Sequence, residues 1–530
     1  MAATTTTTRM PTTEPPGLFV SILLSIALLP LILCIVLISV PVNVLMSLWY
    51  IVSSPFVRWK LERLEKKNWN TNTNNSTASL NNSSPIVIVG AGIGGLSVAH
   101  FLLQCGYTNV RVFEKHSDCG LDRGGGHGLI AGSWCFRAME MPDVYRETIT
   151  PCTEWNFESG RSWLSWTLKF KWMHANPFLP ALSYDPGAFL RSDFLQYLSK
   201  TLPAGVLFLD HELLQIEEEH DDGNDGNNRM VRLVFANGKK YSGRLVIGCD
   251  GAKSKVRTLM MQQLTNKSGD KTVATVPAAA PSTASASADP FYVDINVWWC
   301  VTKFSDIPIM ERTTKWDNGP SRLYFEGGAI MHLVANDDTL ILVVDYRAPS
   351  LRRHHKNWTA NSTGDDLLDF MKVWGIPARY WPVAQYASRV AQFAIPKGRG
   401  STEAMLWHNS TNVVLLGDAV HPTPHFFGQG ANAAIQDAYC LVRCLCTTVH
   451  GPSKGNNNNN NNNGDFSDAF LEYVKVRKPP AHDIISKSYL LGLTETAGGM
   501  TRLARDLIFF TVLKTGLFFW AAVDINTVRV

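Results

Sequence analysis

Gly90, Gly92 and Gly95 stand in G-x-G-x-x-G spacing within "PIVIVGAGIGGLSVAHFLLQCGYTNVRVFEKH", and Glu114 with Lys115 closes that stretch. Glycines so spaced let a turn tighten, let the backbone approach a pyrophosphate, and let a helix pack on a strand. Amides at the start of that helix would face the phosphates, and the Glu114 carboxylate could accept ribose hydroxyls. A second stretch, "RLVIGCDGAKSKVR", delivers Asp250 and Gly251 into a turn, with Ser254 and Arg257 beyond. A third, "NVVLLGDAVHPTPHFFGQGANAAIQDA", delivers Gly417 and Asp418. It then crowds Pro422, Pro424, Gly428 and Gly430 ahead of Ala431 and Asn432. The chemistry these groups suit is the holding of a dinucleotide.

The elements around them agree. The first motif reads as strand, turn, amphipathic helix and second strand, the context that gives the glycine pattern its meaning. Asp250 follows an apolar strand at Leu245 to Ile247, and Asp418 follows another. In open α/β sheets a ligand lies beyond the carboxyl ends of the strands, where both acids would sit. A helix beginning near Gly430 would point its positive end at whatever precedes it. That arrangement suits the pyrimidine edge of a flavin ring, which becomes anionic on reduction, while Pro422, Pro424 and Gly428 shape a backbone wall along the flat ring. Asp250 and Asp418 also fit helix caps, a role compatible with cofactor contact. His421 and His425 read as structural rather than acid–base residues. A similar glycine run at Gly126 and Gly128 follows no strand and reads as a loop.

Taken in this order, the three stretches resemble the group A flavoprotein monooxygenases, the FAD-dependent aromatic hydroxylases typified by p-hydroxybenzoate hydroxylase. The resemblance spans roughly 85–450 and implies a non-covalent FAD, with NAD(P)H as cosubstrate that borrows the same domain. Under it Arg191, in "FLRSDFLQYLSK", fits an Arg-x-x-Leu helix and contacts flavin phosphate, while Asp250 and Arg257 serve both FAD and NAD(P)H. Two departures stand out: Lys115 replaces an arginine common in the family, and His425 replaces a second proline. The implied reaction inserts one oxygen atom from O2 into an apolar organic substrate by hydroxylation or epoxidation, through a flavin C4a-hydroperoxide. The flavin, rather than a side chain, is the reactive group. A FAD-dependent reductase of isoprenoid lipids and a non-enzymatic prenyl-binding protein of the GDI type share the fold and remain the alternatives.

The expected class is therefore α/β: a Rossmann-like FAD-binding domain (85–160, 191–260 and 401–450) carrying an inserted mixed β-sheet substrate domain (161–190 and 289–400). "SWLSWTLKFKWMH", "FYVDINVWWCVTKF", "SRLYFEGGAIMHLVA" and "TLILVVDYR" alternate as strands do and would build that insert. Low-complexity stretches at 264–288 and 456–463 read as surface insertions. A helical region at 465–530 ends the chain. Its apolar tail, 503–523, suits either a last core helix or an interfacial one.

With 530 residues, 45% of them hydrophobic and 18% charged, the chain can bury a sizeable core, and its formal net charge is only +4. No basic stripe with interleaved aromatics occurs, so nucleic acid is not an expected partner. The ten cysteines show neither zinc spacing nor a disulfide framework. A polar lead, 1–17, precedes "GLFVSILLSIALLPLILCIVLISVPVNVLMSLWYIV", which carries no charge to Val52. A span needs about 20 apolar residues and a signal peptide core only about 7–15, so 18–52 reads as a transmembrane helix plus an interfacial piece. A shallow two-helix hairpin is the second reading. Arg58, Lys60, Arg63, Lys66 and Lys67 follow directly and place the catalytic domain in the cytosol by the positive-inside rule. Residues 53–84 form a polar tether to that lipid-bound anchor.

Overall fold

The computed structural model describes residues 85–119, 147–151, 154–159, 166–171, 187–219, 230–268, 292–313, 321–336, 338–347, 362–396, 406–409, 411–448 and 466–514. The predicted anchor, the tether and both low-complexity cores lie outside these residues. Among the described residues no helix is long and apolar enough to cross a membrane.

A five-stranded parallel sheet forms the nucleotide domain, in the order Val413–Leu415, Leu245–Gly248, Ile86–Val89, Val110–Phe113, Leu207–Phe208. Its central strand reads IVIV and is buried along its length, as a parallel strand covered on both faces must be. The helices Ile93–Gln104 and Gly430–Thr448 pack together over this sheet. Strand register aligns Val89 with Gly248 and Gly248 with Leu415, so the first turn, the Asp250 turn and the Asp418 turn all leave one edge of the sheet together. That alignment brings stretches far apart in sequence to one groove.

A separate antiparallel sheet of three strands, Leu213–Glu219, Met230–Phe235 and Lys240–Gly243, hangs beside it. The sequence reading did not separate this sheet from the nucleotide domain.

The inserted domain is a seven-stranded mixed sheet: Arg389–Pro396, Tyr292–Lys303, Thr339–Arg347, Gly328–Ala335, Ser321–Phe325, Glu154–Ser159, Trp166–Lys171. All neighbours pair antiparallel except Ser321–Phe325 with Glu154–Ser159. The expected boundary at 160 therefore moves: Glu154–Ser159 belongs to this sheet, because Phe157 pairs beside Arg322 rather than within the parallel sheet. Strand alternation sorts the two faces. Leu340, Leu342, Val344 and Tyr346 pack under Leu367, Met371 and Val383 of the covering helices. The first of these helices, Gly364–Val373, is fixed by a capping box between Thr363 and Asp366. On the other face Val297, Trp299, Ile341, Val343 and Phe393 meet Phe426 of the third motif.

The helix Ser467–Glu495 runs from the nucleotide domain to the edge of the substrate sheet, with Pro479 and Pro480 inside it. The last described helix, Met500–Lys514, resolves the two readings of the tail as far as it extends. Phe509 stacks on Tyr324 at 4.6 Å, and Arg505 and Asp506 are buried, so this helix is part of the core.

Candidate cofactor and active site

The glycine turn is built as its spacing implies. Gly90 holds a φ of +102°, and a Cβ there would come within 2.6 Å of the Cys249 carbonyl oxygen. Gly95 is tighter, since a Cβ would lie 2.0 Å from the Gly90 carbonyl oxygen. Gly92 differs: the nearest protein atom to its Cβ would be Cys249 O at 4.0 Å, leaving the face open to a ligand. Gly92 is also the N-cap of the helix Ile93–Gln104, which has no side-chain cap and no acid in its first turn. Its first amides are thus available to an anion.

Glu114 accepts hydrogen bonds from the Ala91 amide at 2.9 Å and the His116 amide at 3.1 Å. The second-strand acid is thereby tied back to the turn. Arg191 opens the helix Arg191–Lys200, and burial lowers its pKa while the charges of Asp418 and Glu114 oppose that shift. Arg191 thus feels both the second-strand acid and the third-motif acid. Lys115 is exposed at the rim, where its charge acts on Lys253.

Asp250 does two things. Oδ2 accepts from the Lys255 amide at 2.6 Å and the Val256 amide at 3.1 Å, capping the helix Lys255–Ser268. Oδ1 is buried without a hydrogen-bond partner. Burial raises this carboxyl, against Ser254 and the two amides. Gly251 follows with φ +80° and nothing near its Cβ position. Arg257 is 5% exposed; Nη1 donates to Ala419 O and Nη2 to Ala252 O at 2.9 Å. It staples the Asp250 turn to the Asp418 turn instead of projecting into solvent.

Gly417 has φ +58° and Asp418 beside it is exposed to the groove. Pro424 precedes the short turn His425–Phe427, and its carbonyl accepts from Ser488 Oγ at 2.7 Å. Gly428 closes that turn in the left-handed region, φ +64°, and Gly430 then starts the helix Gly430–Thr448. Ala431 is half-buried in the first turn of that helix, and Asn432 Nδ2 donates to Gln429 Oε1 at 3.2 Å.

Sequence reasoning missed the group that holds this wall. Asp437 Oδ2 meets His421 Nε2 and accepts from the Gly417 amide at 3.0 Å, while Oδ1 accepts from Arg477 Nε at 2.7 Å. All three side chains are buried. Burial alone would raise the Asp437 carboxyl, but His421 and Arg477 hold it at about 2. His421 is a structural residue, as its sequence context suggested. Only the "QDA" at the end of the third motif hinted at Asp437, and nothing local marked Arg477.

The open face at Gly92, the uncapped helix start and the lone Oδ1 of Asp250 fit the pyrophosphate and hydroxyls of FAD. The class they define is an FAD-binding oxidoreductase.

Two family descriptions match parts of the chain: "FAD dependent oxidoreductase" over residues 85–175 and "FAD binding domain" over residues 401–456. A FAD-dependent monooxygenase of Aspergillus fumigatus is 26% identical, over 77% of this chain and 78% of its own length. The 6-hydroxynicotinate 3-monooxygenase of Bordetella bronchiseptica is 24% identical, over 68% of this chain and 82% of its own. Klebsiella pneumoniae HpxO, solved with FAD and uric acid, shares the fold with a TM-score of 0.60 at 16% identity, over 83% of this chain and 96% of that one. The chain is similar to FAD-dependent monooxygenases over most of its length, and it is an enzyme that binds FAD and uses NAD(P)H and O2.

Proposed function

We propose that this monooxygenase hydroxylates a largely apolar aromatic substrate, brought to the flavin beside the substrate sheet. The observation that carries the reading is the apolar packing where the sheet meets the third motif: Val297, Trp299, Ile341, Val343 and Phe393 are buried against Phe426. An aromatic of low polarity is what such a face desolvates without leaving polar groups unpaired. The hydroxynicotinate relative, an aromatic-ring enzyme by name, supports the same class. The reductase and prenyl-binding alternatives find no support among the relatives.

In this reading the Gly92 turn and the amides of the Ile93–Gln104 helix hold the pyrophosphate. Glu114 holds the ribose, Arg191 neutralises phosphate, and Asp250 and Asp418 take hydroxyls of the polyol chain. Gly428, Gly430, Ala431 and Asn432 present backbone to the ring edge, at the positive end of the Gly430–Thr448 helix. Arg257 keeps the two acid-bearing turns in register from within the fold. When bound, FAD supplies the redox chemistry, taking reducing equivalents from NAD(P)H and passing one oxygen atom of O2 to the substrate. The protein's part is to position the substrate against the ring and to keep water away.

We further propose that 18–52 anchors the enzyme to a membrane with its catalytic domain in the cytosol. The support is the uncharged run to Val52 followed by Arg58, Lys60, Arg63, Lys66 and Lys67. Oxygen and NAD(P)H consumption by the purified protein, against lipophilic aromatics, isoprenoids and sterols, tests the reading. The expected result is oxygen uptake stoichiometric with hydroxylated aromatic product. Substrate reduction without oxygen uptake would overturn it.

A further inference from the structure

One face of the helix Ser467–Glu495 is fitted to the turn that precedes Gly428. Ala481, Ile484, Ser488, Gly492 and Glu495 recur every three or four residues along it, and all five are buried. Such spacing gathers them into one stripe. The last three members meet the third motif in order. Ser488 Oγ donates to the Pro424 carbonyl at 2.7 Å. Gly492 lies against the Phe426 ring, where a Cβ would come within 2.2 Å of Cε2 and 2.4 Å of Cζ. Glu495 pairs with Arg322 of the substrate sheet, whose Nη2 donates to the Phe426 carbonyl at 2.8 Å.

The turn has no room to yield on its other side. The Phe426 ring is buried against Trp299, Ile341 and Phe393 of the sheet. Arg347 Nη2, from the strand Thr339–Arg347, donates to the Leu493 carbonyl at 3.1 Å and fixes the helix to that same sheet. Pro424 and Phe426 are therefore held from behind, whereas His425 and Phe427 are only half-buried. The chain then passes into Gly428, in the left-handed region, and on to Gly430 at the start of the next helix. Close-packed interiors transmit displacement, so a shift at Pro424 or Phe426 is handed on to those two glycines.

We propose that Ser488, Gly492 and Glu495 are positioning residues of the cofactor site: through Pro424 and Phe426 they set where Gly428 and Gly430 meet the edge of the FAD ring. They act through the turn rather than on the ring. The proposal rests on the reading above that puts the ring edge at Gly428 and Gly430. It extends the cofactor site to a helix beyond the matched FAD-binding region, which ends at residue 456. Arg322 brings the substrate sheet into the same linkage, so the sheet and the ring wall keep one spacing.

The test uses the full-length protein, with visible circular dichroism of bound flavin, FAD titration and apoprotein melting as readouts. Gly492→Ala changes no charge and removes no hydrogen bond, and alanine suits a helix better than glycine. Its methyl group nevertheless drives into the clamped Phe426 ring, which should alter the flavin dichroism and weaken FAD binding about tenfold. Ser488→Ala removes one hydrogen bond and should weaken FAD binding about fivefold, with a smaller spectral change. Ser488→Thr keeps the hydroxyl and should restore both. Ser488→Ala carries the test should Gly492→Ala fail to fold. Ala469→Gly, in the first turn of the same helix and packed in the nucleotide domain, should lower Tm and leave the flavin spectrum unchanged. Gly430→Ala, whose Cβ meets no protein atom within 4 Å, should alter the spectrum on its own account.

Wild-type spectra and FAD affinity in both Gly492→Ala and Ser488→Ala, with Gly430→Ala altered, would overturn the proposal and leave the ring seat standing. Spectra that follow Tm in every variant, Ala469→Gly included, would overturn it by reducing the stripe to a structural face. A silent Gly430→Ala beside silent stripe variants would put the ring elsewhere and overturn both.

Discussion

His421 and Asp437, sixteen residues apart, form a buried ion pair whose carboxylate also accepts the Gly417 amide at 3.0 Å. Arg477 closes the group from a different helix at 2.7 Å. The turn that presents Asp418 is therefore held from behind by charge, and the third motif is a supported wall rather than a loop.

Removing that support should be severe. Asp437→Asn leaves His421 and Arg477 without their counter-charge, and breaking a buried pair costs about 3–5 kcal/mol. Thermal melts followed by flavin fluorescence should show both a lower Tm and earlier flavin release. A variant with wild-type melting would remove Asp437 from this role.

The same group sets an acid limit. Asp437 titrates at about 2 in the folded state, below the roughly 3.9 of an unfolded aspartate. A depressed folded pKa contributes stability that is present above the unfolded value and is lost as pH falls through the folded one. Urea melts from pH 5 to pH 2 should therefore lose stability mainly below about pH 4. Asp437→Asn should flatten that slope, and an unaltered slope would show that other acids carry it.

Gly95→Ala and Gly92→Ala should separate folding from binding. A Cβ at Gly95 would sit 2.0 Å from Gly90 O, so that variant should fail to yield folded protein. A Cβ at Gly92 meets nothing nearer than 4.0 Å, so the apoprotein should fold and melt normally while FAD affinity falls. Flavin titration by fluorescence quenching gives the readout. Full FAD affinity in Gly92→Ala would place the pyrophosphate elsewhere.

Asp250 offers a finer division. Asn at 250 can accept the Lys255 and Val256 amides as Asp250 Oδ2 does, whereas Ala cannot and should lose about 1 kcal/mol of helix capping. Both should weaken FAD binding, since both lose the charge beside the partnerless Oδ1. Asp418→Ala, at an exposed position, should release most of the flavin with little change in apoprotein Tm. Retained flavin absorbance there would take Asp418 out of the site.

Deleting residues 1–52 should leave FAD binding intact, because the described fold starts at Pro85. In liposomes, turnover of a membrane-dissolved substrate should fall while that of a short, detergent-soluble analogue holds. Equal loss on both would make the segment structural, and no loss on either would make it an address only.

What could be read in advance was local. Gly90, Gly92 and Gly95 act within one strand–turn–helix unit, so their spacing already encodes the backbone path and the close approaches. Asp250 and Asp418 were legible for the same reason, each at the end of an apolar strand. Trp298 and Trp299 show the limit. They are adjacent and alike in type, yet Trp298 packs under the covering helices and Trp299 lies on the inner face. Alternation predicts opposite faces but not which face meets the cofactor wall.

The amino-acid sequence by itself determined the dinucleotide turn, the order of the cofactor motifs and the strand character of the insert, because these depend on backbone geometry over a few residues. Tertiary structure alone decided that Glu154–Ser159 joins the substrate sheet, that Arg477 reaches Asp437, and that Glu495 pairs with Arg322. Those relationships depend on which buried surfaces meet, and a buried charge declares its partner only once both have left water.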